Sequence, residues 1–535
     1  MSKKLMLLMS WLFLSQVLYV LPIKSGNAQL IYMLHTEGAH LVNDRGERVH
    51  LHGVCKNDFI EDGWGLMGDE AGVIANLDAM KNWGANFLAL GIEVQWWLRN
   101  QDDVRENFKT VVELANERGM YVGIGVFGWD YPGEPSGGNS AAQEIMANPD
   151  EYIDFWINVS NSFKDSPNVL YNSLVEISLD EAEMNEYFSV VIQAIQAIRA
   201  NGDEHIFMYH EDYCGYPSRF SSPATEGGEM IRKLHAQPLD PDDPTGPRLT
   251  NIAYDAHTYR WHGTFGGNPD NFDPDSGQET NSDGVYQRED IMDALEYWGY
   301  LKIINEYQVP IIMWEGGAFN SVYPPNTWEK EITCWMNVLS IFNELDIGYG
   351  AFWWRATGPC ALIDAELSPT EWGQVLIDAI AARPPDITDV SQIPPKNNVQ
   401  PEDEVKVNAT VTDISGVNQV TLNYTNGNGT WIAVDMTSLD GDVWNATIPA
   451  FPYCTNVTYT IMAEDKAGNT ITTLELGYEY QYQVIPEFPS FLILPLFMIG
   501  TLLVVIVYKK KAQCNTKLIT ESPPPPRMQT GANAK

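Results

Sequence analysis

The sequence predicts an α/β fold, a (β/α)8 barrel, followed by a small all-β immunoglobulin-like sandwich and a C-terminal transmembrane helix. Three patterns lead to this prediction. Short apolar runs alternate with helical patterns eight times within residues 31–384. Short segments with period-two alternation and turn signals follow within residues 385–485. An apolar stretch, residues 489–508, then precedes three lysines.

The eight barrel strands are predicted from short apolar runs bounded by turn residues, which is the pattern of buried parallel strands. The clearest run lies between Val309 and Gly317, where four apolar residues and Glu315 follow Pro310. The predicted strands are residues 48–53, 86–91, 121–126, 169–176, 205–209, 251–257, 309–317 and 348–354.

The intervening helices are predicted from apolar residues that recur at helical spacing. An open doubly wound sheet is the alternative fold, but no Gly-x-Gly-x-x-Gly follows a strand, so a dinucleotide-binding fold has no support. The predicted helical segments are residues 71–83, 103–118, 140–164, 184–199, 226–235, 288–306, 327–343 and 369–382.

The composition excludes some classes of protein. The 535 residues carry 71 acidic and 32 basic side chains, a formal charge of −39, which argues against a nucleic-acid partner. None of the six cysteines forms a Cys-x-x-Cys motif, which argues against a zinc or redox site. The sequence predicts no metal site and no cofactor.

Both ends of the chain predict a location at the cell surface. Residues 1–28 are typical of a signal peptide, with Lys3 and Lys4 before an apolar stretch, and an uncleaved anchor is the alternative. Residues 489–508 predict a single membrane helix, and residues 509–535 a cytoplasmic tail. The predicted barrel is then extracellular.

The all-β segment predicts a stalk outside the cell. Turn signals such as Asn426-Gly427 separate its strands. It holds five Asn-x-Ser/Thr sequons, and the barrel holds one, at Asn158, so the segment is expected to be glycosylated. The five sequons begin at Asn408, Asn423, Asn428, Asn445 and Asn456.

Several predicted strands end in side chains suited to sugar chemistry. Two carboxylates across a barrel mouth can hydrolyse a glycosidic bond, one as acid/base and one as nucleophile. A tyrosine beside the nucleophile would orient it, and flat indoles would stack on sugar rings. These strand-end candidates are Glu176, Glu315, His257, Tyr259, Trp353 and Trp354.

Other candidates lie in the loops that follow the strands. Trp97 and Trp129 are predicted to line substrate subsites. His210-Glu211-Asp212 could serve a metal or a subsite, with a solvated loop as the alternative. The acidic loops at residues 240–243 and 270–283 could hold calcium, but neither matches the EF-hand spacing.

The pattern over roughly residues 40–382 resembles family 5 glycoside hydrolases, the cellulase and mannanase group. Val175-Glu176 is similar to the family's Asn-Glu after strand four, and His257-Thr258-Tyr259 to its His-x-Tyr after strand six. Glu315 before two glycines is similar to the family's nucleophile. The resemblance implies that Glu176 is the acid/base and Glu315 the nucleophile of a retaining enzyme.

Three positions depart from the family pattern. Ala89 stands where the family has Arg on strand two, Phe127 lies where strand three usually ends in His, and Val175 replaces Asn. From the family resemblance and the predicted membrane segment, we expect a membrane-anchored enzyme that cleaves a β-linked polysaccharide. The alternatives are a catalytically degenerate surface carbohydrate-binding or adhesion protein and a structural envelope protein.

Overall fold

A computed structural model describes most of the chain in twelve ranges. The predicted signal peptide, the first part of the predicted membrane segment and nearly all of the tail lie outside them. The described residues are 31–56, 69–100, 103–130, 138–177, 179–210, 229–259, 272–273, 278–279, 287–319, 328–486, 498 and 501–510.

The chain divides into two compact units. One comprises Met1–Asp389, Val411–Val420 and Met462–Tyr478, and the other contains the remaining residues. The domain boundaries at residues 384–385 and 485 stay a prediction.

Eight parallel strands close into a barrel in the order β11-β12-β3-β4-β5-β6-β7-β8. The helices that alternate with them complete the predicted (β/α)8 architecture, and closure excludes the open-sheet alternative. The barrel strands are β3 (His52–Cys55), β4 (Phe87–Glu93), β5 (Tyr121–Gly128), β6 (Val169–Leu174), β7 (Phe207–Tyr209), β8 (Ile252–Thr258), β11 (Ile311–Gly316) and β12 (Gly348–Phe352).

The helices agree with the predicted positions, with two differences. The expected helix at residues 288–306 is broken, because Gly299 adopts a left-handed conformation and a π-helical turn, Ile303–Tyr307, follows. A short unpredicted helix follows β4 directly. The described helices are α1 (Glu70–Asn82), α2 (Val94–Arg99), α3 (Val104–Asn116), α4 (Asn139–Ala147), α5 (Pro149–Phe163), α6 (Glu181–Ala200), α7 (Glu229–His235), α8 (Arg288–Tyr297), α9 (Tyr300–Lys302), α10 (Trp328–Leu345) and α11 (Glu371–Ala381).

Apolar side chains form two layers in the barrel unit. The larger layer lies between strands and helices, and the smaller fills the barrel interior around Phe87, Leu170 and Trp314. An antiparallel hairpin, β1 (Leu34–Glu37) and β2 (His40–Asn43), adds Leu34 and Leu41 to the interior layer.

Trp314 sets the packing of the interior. Its indole lies against β5 at two glycines, where an added Cβ would come within 2.6 Å of the ring at Gly123 and 2.7 Å at Gly125. Such distances are far below normal van der Waals contact, so β5 needs glycine at both positions to admit the indole.

The C-terminal region is all-β and antiparallel. Its strands form one sheet in the order β13-β14-β18-β17 and another in the order β16-β15-β19-β20, with β21 paired to β19. The immunoglobulin-like assignment stays a prediction. The strands are β13 (Asp386–Ile393), β14 (Val405–Thr412), β15 (Val417–Thr425), β16 (Ile432–Asp435), β17 (Thr437–Asp440), β18 (Val443–Ile448), β19 (Asn456–Asp465), β20 (Thr470–Thr472) and β21 (Tyr480–Gln483).

The alternating pattern that predicted strands is also the pattern of burial. In β14, Val405, Val407 and Ala409 are buried, while Lys406 between the first two is exposed. Burying one face of each strand is how a two-residue period produces a half-solvated antiparallel sheet.

The predicted membrane segment is only partly described. Residues 501–510 are helical and exposed, whereas residues 489–497 and 499–500 lie outside the described ranges. Among the helices that the structure does describe, none has the length and apolar character needed to cross a membrane.

Two short strands, β9 (Phe272–Asp273) and β10 (Gln278–Glu279), pair within the acidic region that follows β8. The rest of residues 270–283 lies outside the described ranges, so the predicted calcium loop there is not tested.

Candidate active site

Glu176 lies beyond the C-terminal end of β6, which ends at Leu174 rather than at residue 176 as predicted. Its φ angle is 54°, a left-handed conformation that residues other than glycine seldom adopt. Such residues persist where the surrounding structure holds them, and they cluster at functional sites. The side chain is 33% exposed, so its carboxyl group remains accessible to solvent.

A β-bulge at the end of β11 sets the direction of Glu315. Met313 pairs with Ala256 of β8, and Glu315 pairs with the next residue, His257, which leaves Trp314 as the extra residue. Trp314 therefore fills the interior while Glu315 lies beside His257. The Glu315 side chain is only 6% exposed.

His257 and Tyr259 connect the two glutamates. The Tyr259 hydroxyl donates a 2.9 Å hydrogen bond to Glu315 Oε1. His257 Nδ1 lies 3.3 Å from Oε1 of Glu315 and 3.3 Å from Oε1 of Glu176. The structure thus brings four predicted site residues together at one end of the barrel.

Burial and mutual charge set the protonation of this group. Burial raises the pKa of Glu315, the His257 charge opposes that rise, and the Glu176 carboxylate adds to it. Burial lowers the pKa of His257, but Glu315 and Asp255 outweigh burial and bring the net pKa well above its ordinary value. Burial and the Glu315 charge raise the pKa of Tyr259, so its hydroxyl keeps the proton that it donates.

A second, fully buried group lies on the other side of the His257 ring. Asp255 Oδ2 accepts hydrogen bonds from Asn172 Nδ2 at 2.9 Å and from His210 Nδ1 at 3.0 Å. Asp255 Oδ1 accepts from the Trp314 amide at 3.1 Å. His257 Nε2 lies 3.5 Å from Asp255 Oδ2, the distance of an ion pair rather than of a well-formed hydrogen bond.

These ionisable groups raise the question of a metal ion. Ligand-type atoms of His210, Asp255 and His257 lie within 4.8 Å of one another, and so do those of Glu176, His257 and Glu315. The Asp255 oxygen already accepts two side-chain donors, so we interpret the first group as a hydrogen-bond network. The second group is the pair of glutamates with the histidine between them.

The predicted tryptophans have different environments. Trp353 is partly exposed, follows a cis peptide bond after Phe352, and has the Arg355 guanidinium 4.5 Å from its ring centre. Trp129 is 5% exposed, which leaves it little surface for a ligand. Of the four, only Trp353 is partly exposed, and it follows the end of a strand.

Trp354 and Trp97 are buried in the outer apolar layer. The Trp354 indole nitrogen donates to Asn76 Oδ1 at 2.8 Å. Trp97 packs edge-on against Phe108 and Phe155. Since neither ring offers a face to a ligand, their positions argue against the predicted substrate contacts. Bulky apolar rings after strands are as well suited to the helix–strand core as to a subsite.

The three positions that depart from the family pattern hold apolar side chains in the structure. Ala89 is part of the interior layer, Val175 is buried, and Phe127 is partly exposed. A buried cation lies next to Ala89: the Lys56 amide donates to Ala89 O at 2.9 Å. The Lys56 ammonium donates to the Trp354 carbonyl at 3.0 Å.

Two of the candidate sites predicted in loops have different environments in the structure. His210 belongs to the network around Asp255, but Glu211 and Asp212 lie outside the described residues. In the loop at residues 240–243, Asp240 and Asp243 accept hydrogen bonds from nearby residues, such as the Asp242 and Thr245 amides. This is the pattern of a solvated turn.

A parallel barrel with two carboxylates facing each other beyond its strand ends is the arrangement that barrel glycoside hydrolases use. The family model of cellulases, glycosyl hydrolase family 5, matches residues 42–356. The chain belongs to this family.

Solved structures of similar fold include a β-mannanase from Thermomonospora fusca in complex with mannotriose. It is 16% identical, with 65% of this chain and 95% of that chain covered and a TM-score of 0.42. A β-mannanase from Streptomyces thermolilacinus is 19% identical, with 65% of this chain and 95% of the mannanase covered and a TM-score of 0.43. A β-glucanase from Saccharophagus degradans in complex with cellotetraose is 16% identical, with 66% and 94% covered and a TM-score of 0.44. None of the curated proteins compared with this chain matches it in sequence.

Sequence reasoning did not single out Asp255 and Asn172. The signal that could have found Asp255 is its place as an acidic residue in the middle of a mostly apolar strand. A buried charge there needs hydrogen-bond partners. The sequence could not show that those partners come from β6, β7 and β11.

Proposed function

We propose that the protein hydrolyses a β-linked polysaccharide by a retaining double displacement, with Glu315 as nucleophile and Glu176 as acid/base. The observation that carries the proposal is that one oxygen of each carboxylate lies within 4.8 Å of the other. Retaining glycosidases hold their carboxyl groups roughly 5–5.5 Å apart, whereas inverting enzymes leave roughly 6.5–9.5 Å for a water molecule.

Glu315 has the environment of a nucleophile. Tyr259 holds Oε1 with a hydrogen bond, which fixes the carboxylate while an oxygen attacks the anomeric carbon. His257 favours the ionised form of Glu315 against the effect of burial. The covalent glycosyl-enzyme forms at the Glu315 oxygen that attacks the anomeric carbon.

Glu176 has the environment of an acid/base. It is the more exposed carboxyl group, and its Oε1 lies 3.3 Å from the same His257 Nδ1 that Glu315 approaches. In the first step it gives its proton to the departing glycosidic oxygen. In the second step it takes a proton from the water that releases the sugar.

Substrate contact is proposed for the partly exposed Trp353 ring. A flat indole stacks on the apolar face of a sugar, and Trp353 follows β12 at the same end of the barrel as the glutamates. Because residue 175 is Val, a sugar-binding amide is missing there, and the choice of sugar stays open between glucans and mannans.

The test is a panel of soluble β-glucans, β-mannans and xylans incubated with the full-length protein. We expect reducing ends to appear with at least one polysaccharide, and the first product observed by NMR to keep the β configuration. The Glu315→Gln variant should show no turnover but should fold like the wild type. An α product would exclude the retaining mechanism.

No hydrolysis of any polysaccharide, together with retained glycan binding, would favour the carbohydrate-binding alternative. Absence of both would favour the envelope protein.

The proposed location is the cell surface, with one C-terminal anchor. It is supported by the apolar residues 489–508 before Lys509-Lys510-Lys511 and by the five sequons of the all-β region. Protease added to intact cells should then remove the barrel and leave a small fragment in the membrane. A barrel that stays protected while other surface proteins are cleaved would exclude this location.

A further inference from the structure

Asp255 is a buried carboxylate that the proposed chemistry does not use directly. It accepts from donors on two strands and after a third: Asn172 on β6, the Trp314 amide on β11 and His210 after β7. A carboxyl group that receives such donors acts as an acceptor at both oxygens, which is what the ionised form does. Asp255 therefore introduces a negative charge at the Nε2 side of the His257 ring, whereas the two glutamates lie at its Nδ1 side.

We propose that Asp255 is a positioning residue that holds His257 as an imidazolium cation beside the carboxyl groups of Glu176 and Glu315. This inference rests on the proposed roles of the two glutamates. Asp255 is linked to the glutamates through His257 and through the amide of Trp314, which precedes Glu315, so the His257 titration is the readout that isolates the proposed role.

The geometry of the His257 ring fits a cation. Nδ1 is 3.3 Å from an oxygen of each glutamate, and Nε2 is 3.5 Å from Asp255 Oδ2. Both ring nitrogens thus face carboxylate oxygens, and only the imidazolium carries a proton on each nitrogen. A neutral ring would present an unprotonated nitrogen to one of these carboxylates.

His210 does not compete for the charge. Its Nδ1 donates to Asp255. Among the described residues the Nε2 atoms of His210 and His257 both lack a hydrogen bond, but His257 Nε2 has Asp255 Oδ2 at 3.5 Å. Burial lowers the pKa of His210, which favours its neutral ring. The two imidazoles meet edge to face with ring centres 4.7 Å apart, so a second cation beside His257 would be repelled.

Among the described residues, the groups that face His257 come from four strands or from the residues that follow them. They are Glu176 after β6, His210 after β7, Asp255 within β8 and Glu315 on β11, with the Tyr259 hydroxyl bonded to Glu315. Glu176 carries the proton of the acid before the first step, so the Asp255 and Glu315 carboxylates flank one imidazole and leave His257 as the place for the compensating positive charge. Ala89, which lines the interior on β4, supplies none.

The test is an NMR titration of the full-length protein with nitrogen-labelled histidine. The signals of His257 are assigned by their loss in His257→Gln among the nine histidines. In the wild type we expect both ring nitrogens to be protonated at pH 7. In Asp255→Asn, the proton affinity of His257 should fall at least roughly tenfold, and kcat should fall at neutral pH with little change in KM.

The matched control is Asp203→Asn. Asp203 and His205 form another fully buried pair, with Oδ1 and Nδ1 2.6 Å apart, before β7 at the opposite end of the barrel. This variant should lower the unfolding midpoint and leave the His257 titration unchanged.

A neutral His257 ring in the wild type at pH 7 would overturn the proposal. So would an unchanged His257 titration in Asp255→Asn. If Asp255→Asn does not fold, Asp255→Ser tests the same charge in less volume, and the wild-type spectrum decides by itself. The NMR titration needs no substrate. A failure of this proposal can therefore be distinguished from a failure to find hydrolysis.

Discussion

The Tyr259 hydroxyl and Glu315 Oε1 are joined by a 2.9 Å hydrogen bond between two buried side chains. This bond lowers the pKa of Glu315 against the effect of burial. In Tyr259→Phe the pKa of Glu315 should therefore rise, and the acid limb of the kcat/KM profile should move to higher pH. We expect kcat/KM near neutral pH to fall roughly 10- to 100-fold, the effect of about 1.4 to 2.7 kcal/mol.

Tyr171→Phe is the control for this prediction. Tyr171 also donates from a buried hydroxyl to a carboxylate, Asp203 Oδ2 at 2.8 Å, but remote from the glutamates. Its loss should cost roughly 1–3 kcal/mol in the free energy of unfolding and should not move the acid limb. An acid limb that stays in place in Tyr259→Phe would show that Tyr259 does not govern the ionisation of Glu315.

The accessible position of Glu176 leads to a prediction of chemical rescue. Glu176→Ala should lose most turnover of polysaccharides, whose leaving group needs a proton, and much less with an activated aryl glycoside. Azide should restore part of the rate because the covalent intermediate still forms and lacks only its base. The product to measure is the glycosyl azide of retained configuration.

Glu344→Gln provides the matched control for this rescue. Glu344 is an exposed carboxylate that pairs with Arg288, so the variant removes one charge outside the site. It should turn over polysaccharides at the wild-type rate and should not respond to azide. Equal rates for wild type and Glu176→Ala on polysaccharides would remove Glu176 from the mechanism.

The contact between Trp314 and β5 predicts a destabilised variant. A methyl group at Gly125 would lie 2.7 Å from the indole, so Gly125→Ala must shift Trp314 or the strand. Overpacking of this kind typically costs roughly 1–3 kcal/mol. Urea unfolding should show this loss.

A double-mutant cycle checks its cause. In a Trp314→Phe background the same glycine change should cost less, because the smaller ring leaves room for the methyl group. An equal cost in both backgrounds would place the strain elsewhere in β5.

Two buried histidines near the start of β3 predict a pH-dependent stability. Burial holds the pKa of His50 and His52 well below 6.5 in the folded protein, so both stay neutral there. The unfolded chain binds protons at these residues as the pH falls below 6.5. Their contribution to stability is complete above pH 6.5 and is lost toward the lower pKa of the folded state.

Each histidine that stays neutral contributes a slope of up to about 1.4 kcal/mol per pH unit in this window. Urea unfolding of the wild type between pH 7.5 and 5 should show the decline, and His52→Gln should show a shallower one. Above pH 7.5 the two proteins should have the same slope. Identical slopes below pH 6.5 would mean that His52 is protonated in the folded protein.

The sequence by itself determined the barrel. Eight apolar runs with helices between them leave few ways to bury both faces of each strand, and closure is the one that is observed. The sequence also placed Glu176, His257, Tyr259 and Glu315 at strand ends. Since the carboxyl ends of parallel strands meet at one end of a barrel, their proximity followed from the topology.

Only the tertiary structure decided which way these side chains point. The bulge at Trp314 and the left-handed conformation of Glu176 bring the two carboxyl groups together. Neither can be predicted from the two-residue alternation of side chains along a strand. The tertiary structure also separated Trp353, which keeps exposed surface, from Trp97 and Trp354, which are buried. It joined Asp255 to Asn172 and His210, which are 83 and 45 residues away, because a buried charge must find its donors in space.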